Sequence, residues 1–440
     1  MRTVTTDPAA TPSETADELP ARVQEALGEL AGAAREGLMA LSVGVGLGVL
    51  AELMEAEVDE VVGPKGKHDP AREAKRHGHE QTSVTLGARR TPISRPRVRS
   101  ADDREEVALE TFGHFAARDP LSDAVLERML AGVSTRRFAR ASEPVGQAVE
   151  AAARSTSKSA VSREFVAKTA ENLAALLARR LDDVRLAVLM LDGIELKGRC
   201  CVVALGITTE GEKVPLGLWE GSTENAAVAT ALLADLVDRG LDTSQSVLCV
   251  LDGAKALAKA VRDVLGVHTP VQRCIRHKER NVLDHLPERD RPAVKRRLRA
   301  AWALDDHDQA LERITGLAGE LERSHPGGAA SLREGLEETL TVTRLGVRGA
   351  LKRTLQSTNP CESMIECVRR SARNVKRWQS GDMALRWTAA GMLEAERQFR
   401  RVIGYRELAR LAVAIERELA REPEIIASPK PAPEVVACPA

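Results

Sequence analysis

The chain has 440 residues, enough for two or three domains at ~100–200 residues each. Hydrophobic residues at 43% supply real cores, while aromatics at 2% argue against base-stacking platforms. The formal net charge of zero excludes a uniformly basic chain, yet residues 62–100 carry ten Lys/Arg against three Asp/Glu and residues 362–401 nine against five. Basic patches on a neutral chain suit a polyanion, although each alone is equally a solvated loop or helix face.

Residues 1–20, rich in Thr, Pro and Ala and without an apolar signal core, are expected to be disordered. A helical pattern follows over residues 21–61. Its segment "MALSVGVGLGVLA" is apolar but short of the ~20 residues a membrane helix needs, and reads as a buried or dimer-facing helix. With no membrane span and an odd count of seven cysteines, several in apolar runs, the expectation is a cytoplasmic protein with reduced thiols.

Residues 62–82 read as a basic loop, in which His68, His77 and His79 suggest flexibility rather than zinc. "SVTLGARRTPISRPRVRS" then gives a strand, a turn at Gly87 and a second basic strand, so residues 62–100 form a loop and hairpin. Residues 101–182 read as mainly α-helical. Ser122 can cap one helix, Gly132 marks a break, Ser134 can cap the next, and Ser157 or Ser159 a later one. Arg136, Arg137 and Arg163 near the starts of the later helices suit a helix-turn-helix on DNA; an ordinary helical bundle fits the same pattern.

The pattern changes in residues 183–287. "RLAVLMLDGIELKG", "RCCVVALGITTEGEK" and "KVPLGLWEGS" are three strands joined by short turns. Helix, strand, helix, short strand and helix follow. A three-strand meander running into βα units is similar to the plan of the ribonuclease-H-like fold, an α/β domain on a mixed five-stranded sheet. Residues 288–350 are amphipathic helix, residues 351–422 return to the core, and residues 423–440 form a disordered Pro-rich tail.

"LMLDG" and "VLCVLDG" are nearly one phrase. Asp192 and Asp252 each end an apolar run, which places a carboxylate at the sheet rim where α/β sheets bind ligands. Side by side they would repel, and a divalent cation with oxygen ligands removes that problem. Asp-Gly is also a common turn, so one copy would mean little. In "LQSTNPCESMIECVRRSARNVKR", Asn359 can cap a helix with Pro360 first in it and Glu362 at the third position. Glu366 can pair with Arg369 or Arg370. Both glutamates are explicable as helix furniture.

The pieces "LDGIELKG", "ITTEGEKVPLGLWEGSTENA", "VLDGAKAL", "VQRCIRHKERNV" and "STNPCESMIECVRR" occur in order, and residues 186–400 resemble Mutator-type transposases of bacterial insertion sequences. The resemblance implies a ribonuclease-H-like catalytic domain with an all-α insertion between the second aspartate and the glutamate. Asp252 follows Asp192 by 60 residues, and Glu362 follows Asp252 by 110, which leaves room for that insertion. It implies that Asp192, Asp252 and Glu362 bind two Mg2+ or Mn2+ ions and carry catalysis. The departures Ser363 and Ile365 fall where relatives have Arg and Asn.

Cys274 and His277 match a Cys-x2-His element of the family, as active-site support; half a structural zinc site, or a buried Cys beside a solvated His, are the competing readings. Arg276, Arg369, Arg370, Arg373, Lys376 and Arg377 are expected on the DNA backbone, the last five along the Glu362 helix. The resemblance further implies double-stranded DNA as partner, a homodimer or higher oligomer on it, and work at the nucleoid. A DNA-binding regulator without catalysis, or a nuclease that cuts without strand transfer, are the alternatives.

Overall fold

The computed structural model describes residues 38–66, 72–86, 89–117, 122–138, 151, 157–221 and 225–427. The expected disordered start, residues 21–37 of the first helix, the Gly87 turn, His68, Cys438 and the end of the tail lie outside these. The chain divides into two compact units, Met1–Arg128 with Val133–Phe165, and Met129–Gly132 with Val166–Ala440.

In the first unit, α1 (Leu38–Val62) sets Leu50, Met54, Val58 and Val62 against a sheet of β1 (Ala74–Leu86), β2 (Arg89–Ser100) and β3 (Glu106–Val107). The apolar segment within residues 39–51 is therefore part of a helix with one buried face, while Val45 and Val49 stay exposed. The expected loop is corrected here. β1 begins at Ala74, so residues 74–82 are strand, paired antiparallel with β2 and broken in register between Arg76 and His79, where Gly78 takes φ +74°. An exposed strand tolerates charge when the partner strand answers it. Arg95 bonds Glu80 and Glu106 at 2.7 Å, and His79 faces Glu55 of α1 at 2.9 Å.

The stretch expected to be mainly helix also supplies β3, paired with β2, ahead of α2 (Glu110–Ala117) and α3 (Ser122–Leu130). Ser122 is the first residue of α3. Arg136 and Arg137 are exposed in a turn, and the helix expected after them runs outside the described residues. α4 (Lys158–Ala178) starts at Ser157, whose Oγ accepts from the Ala160 N–H at 3.0 Å, which settles the cap between the two candidate serines. Arg163 is exposed on its first turns.

The second unit is built on five strands in the order β6-β5-β4-β7-β8. β4 (Leu186–Glu195), β5 (Cys200–Thr208) and β6 (Lys213–Gly221) form an antiparallel meander, and β7 (Leu248–Leu251) and β8 (Val271–Arg273) add in parallel beside β4. Apolar side chains alternate to both faces, so two layers cover the sheet. α5 (Ala226–Asp238), capped by Asn225 on the Val228 N–H, and α6 (Lys255–Leu265) pack on Leu189, Leu191 and Val202. On the opposite face, α12 (Gly349–Leu355), α13 (Asn359–Ser371), α14 (Gly381–Gln398) and α15 (Leu408–Ala427) pack on Met190, Val203 and Leu205.

Between β8 and α12 the chain forms a helical body of its own: α7 (Ile275–Asp284), α8 (Arg291–Trp302), α9 (His307–Ser324), α10 (Pro326–Arg333) and α11 (Thr341–Arg344). Leu298, Trp302, Ile314 and Leu317 are among its buried centre. Gln272 of β8 ties it to the sheet, donating to the Thr339 carbonyl at 2.9 Å and accepting from the Val342 N–H at 2.8 Å. No helix among the described residues is long and apolar enough to cross a membrane.

Candidate active site

The parallel register of β4 and β7 pairs Leu189 with Cys249, Met190 with Val250 and Leu191 with Leu251. The next residues on the two strands are Asp192 and Asp252. Side chains in register on parallel strands share a face, so both carboxylates follow Met190 and Val250 toward the α13 side. Asp192 was expected at a strand end. It is within β4, which goes on pairing with β5 through Glu195 after it has left β7. The rim is thus the end of the β4–β7 pairing, not the end of the strand.

Local backbone fixes both aspartates. Asp192 Oδ1 accepts from the Gly193 N–H at 2.9 Å, and Asp252 Oδ1 from the Ala254 N–H at 2.8 Å. Gly253, between Asp252 and Ala254, takes φ +105°, and a Cβ there would collide with Arg273 Nε. Only glycine meets both conditions.

Glu362 reaches the same place from α13. The helix starts one residue earlier than its sequence suggests. Thr358, not Asn359, is the N-cap, and it makes no side-chain cap bond, which puts Pro360 second and Glu362 fourth in the helix. Thr358 instead faces sideways. Its N–H donates to Cys274 Sγ at 3.4 Å, its Oγ1 lies 3.6 Å from that sulfur, and the same hydroxyl donates to Glu362 Oε1 at 3.5 Å. Cys274 in turn donates its N–H to the Leu251 carbonyl at 2.7 Å, one residue before Asp252. Gln356 accepts from the Ile275 N–H at 2.9 Å. The end of β7, the start of α7 and the start of α13 are therefore bonded to one another. Two helix N-termini converge there, an arrangement that favours anions.

His277 completes the cluster, with Nε2 3.7 Å from Glu362 Oε1. The ligand atoms of Cys274, His277 and Glu362 all lie within 4.8 Å of one another, and no other such group of three occurs among the described residues. A four-ligand zinc site from the cysteines is not formed there: Cys200, Cys201, Cys249, Cys361 and Cys367 are all buried, and none belongs to that group. Burial first, then the Asp252 charge, pushes the Asp192 carboxyl up to about 6, with Glu362 adding to the rise and His277 and the Gly193 N–H opposing it. The Cys274 sulfur first, and then Asp192 and Asp252, raise His277 to about 9 against its own burial. Burial opposes ionisation of the Cys274 thiol, but His277 and Thr358 outweigh it and bring the thiol below its usual value. His277 is thus a cation at neutral pH among three carboxylates.

A recess of about 460 Å3 opens over Asp192, His277 and Glu362, lined also by Arg280, Asn359 and Arg369; Asp252 is not part of its lining. Glu366, expected to pair with Arg369 or Arg370, is exposed at the recess and makes no ion pair with either. Of the five cations expected along the Glu362 helix, only Arg369 and Arg370 are on it. α13 ends at Ser371, and Arg373, Lys376 and Arg377 follow in the segment beyond. Arg370 donates to Cys367 Sγ at 3.5 Å and Arg373 to the Ala131 carbonyl at 3.5 Å, while Arg369, Lys376 and Arg377 are exposed. Arg276 is exposed on α7. Sequence reasoning missed Thr358 and Arg280. Arg280 stands three residues after His277, so one helical turn was the available signal.

Oxygen donors that repel one another until neutralised are the kind of set that hard divalent cations take. The carboxylates fit such a group by the rise of Asp192, which burial drives first and to which the Asp252 and Glu362 charges add.

The comparisons give the class first: the chain is a DNA-processing enzyme, since residues 33–401 match the family described as "Transposase, Mutator family". It belongs to that family of transposases. It is 27% identical over 349 residues to a transposase for insertion sequence element ISRM5 of Rhizobium meliloti, covering 79% of this chain and 85% of that one. It is 25% identical over 362 residues to the transposase for IS256 in transposon Tn4001 of Staphylococcus aureus, covering 79% and 87%. A transposase for IS6120 of Mycolicibacterium smegmatis is 31% identical over 198 residues, 44% of this chain and 60% of that one.

Proposed function

We propose that this transposase binds the terminal inverted repeats of an insertion sequence and catalyses DNA strand cleavage and strand transfer through Asp192, Asp252 and Glu362, on a ribonuclease-H-like core. The observation that carries this is the register of β4 and β7, whose last pair, Leu191 with Leu251, immediately precedes the two aspartates. Support also comes from the bonded path Leu251–Cys274–Thr358–Glu362, which brings a third carboxylate to the same recess.

Divalent cations held by these carboxylates, two Mg2+ or Mn2+, would activate the attacking oxygen and stabilise the leaving one. The chain's own groups do the rest. Thr358 and His277 orient Glu362, and the His277 cation offsets negative charge beside Asp192. The N-termini of α7 and α13 favour the scissile phosphate. Arg369, Lys376 and Arg377 are free to hold the backbone, a salt-sensitive contact with little sequence choice. In this scheme residues 288–350, which hold α8–α11, are the insertion in the catalytic core. The basic hairpin, the turn carrying Arg136 and Arg137 and the helix carrying Arg163 read the ends of the element, and two copies bridge two ends.

The experiment is a cleavage and joining assay on DNA carrying the terminal repeats, in Mg2+. Asp192→Asn and Asp252→Asn are expected to bind the ends as the wild type does and to yield neither nicked nor joined product. Joined product from either variant would overturn the proposal, and nicking without joining by the wild type would make the protein a nuclease instead.

A further inference from the structure

Beside the carboxylate recess a larger groove of about 780 Å3 runs along α7 and α8. Arg280, Asn359 and Glu362 line both hollows, so the two meet at the third carboxylate. The cations of the groove are used unequally. Arg299 makes two bonds to Glu279, at 2.7 and 2.9 Å, and Lys295 lies 3.5 Å from the same carboxylate. Arg291 donates from Nε to the Leu286 carbonyl at 2.9 Å. Arg276 and Arg280 are exposed and make no hydrogen bond or ion pair with any described residue.

These two stand at i and i+4 on α7, a spacing that sets like charges side by side at a cost to the helix. The nearest acid of their own helix, Glu279, is already taken by α8. An unpaired arginine fork presents its donors in the geometry that phosphate oxygens accept two at a time. At the far end of the groove Asp284 and Glu288 would repel a polyanion, so the favourable stretch is the end nearest Glu362.

We propose that Arg276 and Arg280 grip the phosphates of the DNA strand that flanks the scissile phosphodiester, and steer that strand from the α7–α8 groove into the carboxylate recess. The steering role rests on the recess being the cleavage site; the phosphate grip itself does not.

The test uses the full-length chain and labelled duplex DNA of arbitrary sequence, because a phosphate contact is indifferent to sequence. Binding is followed by anisotropy over a salt series. Arg276→Ala with Arg280→Ala should weaken binding on every duplex and lower the slope of log affinity against log salt by about two. Arg280→Lys should restore about one unit of that loss when placed beside Arg276→Ala, which shows that the variants are folded and that charge is what counts. Arg313→Ala, on α9 and outside the groove, should leave the slope where it was. An unchanged slope in the double variant, or an equal fall with Arg313→Ala, overturns the proposal. Binding needs no cleavage, so failure of the catalytic reading would appear separately, as wild-type activity surviving in Asp192→Asn.

Discussion

Thr358 and Cys274, 84 positions apart, are joined by a bond from the Thr358 N–H to the Cys274 sulfur at 3.4 Å. Through it the helix that carries Glu362 is set against the strand that ends at Leu251, one residue before Asp252. Neither side chain is placed to touch substrate. Both position the Glu362 carboxylate, in the way that outer partners orient metal ligands.

Cys274→Ala and Thr358→Ala should therefore lower the rate of DNA cleavage by ~10–100-fold, the range usual for loss of an outer partner. The Mg2+ concentration needed for half-maximal cleavage should rise as well, because the ligand is displaced rather than removed. Cys274→Ser, which keeps an acceptor, should recover part of the loss. Cleavage kinetics over a Mg2+ series check this, and wild-type behaviour in both alanine variants would contradict it.

Without a divalent cation, Asp192 is a cost to folding at neutral pH. Its folded pKa of about 6 lies above its ordinary value of 3.8, so the folded state prefers the protonated form. The associated stability is fully present below about pH 4 and is lost as pH rises through about 6. Asp192→Asn should thus stabilise the protein in EDTA at pH 8, by up to ~3 kcal/mol for a shift of about two units, with the gain vanishing below pH 4. Thermal denaturation at the two pH values measures it.

His277 has the same sign of shift and the opposite charge logic. Its folded pKa of about 9 exceeds the ordinary 6.5, so its cation stabilises the fold below about pH 6.5 and that contribution disappears as pH rises through about 9. His277→Gln should destabilise the EDTA-treated protein by about 1–3 kcal/mol at pH 6 and barely at pH 10. Equal destabilisation at both pH values would mean that His277 acts by packing alone.

Gly253→Ala forces a Cβ onto a backbone with φ +105° and into contact distance of Arg273 Nε. The strain should cost ~1–3 kcal/mol, and displacement of Asp252 should reduce cleavage further than the stability loss explains. Denaturation midpoints and cleavage rates, measured on the same preparation, separate the two.

The sheet was legible because β4 and β5 are apolar and buried along almost their whole length, which sequence patterning reports directly. The two aspartates were legible for the same reason, as the polar residues that follow those runs. The first part of β1 was not, since its polar residues 75–82, exposed from His77 to Gln81, become strand only by pairing with Arg95 and its neighbours on β2. Nor was the start of α13. Thr358 and Asn359 are both good caps, and the choice is made by Cys274, far away in sequence. The path from Leu251 through Cys274 to Thr358 is tertiary, so nothing local announces it.

The central claim is that Glu362, and not its neighbour one turn on, is the third carboxylate. It is tested most directly by measuring Mg2+-dependent strand cleavage by Glu362→Gln and Glu366→Gln side by side, with DNA binding as the control. Cleavage should be abolished in Glu362→Gln and retained in Glu366→Gln, with both variants still binding DNA. Retained cleavage in Glu362→Gln together with its loss in Glu366→Gln would contradict the assignment and move the third ligand to the exposed edge of the recess.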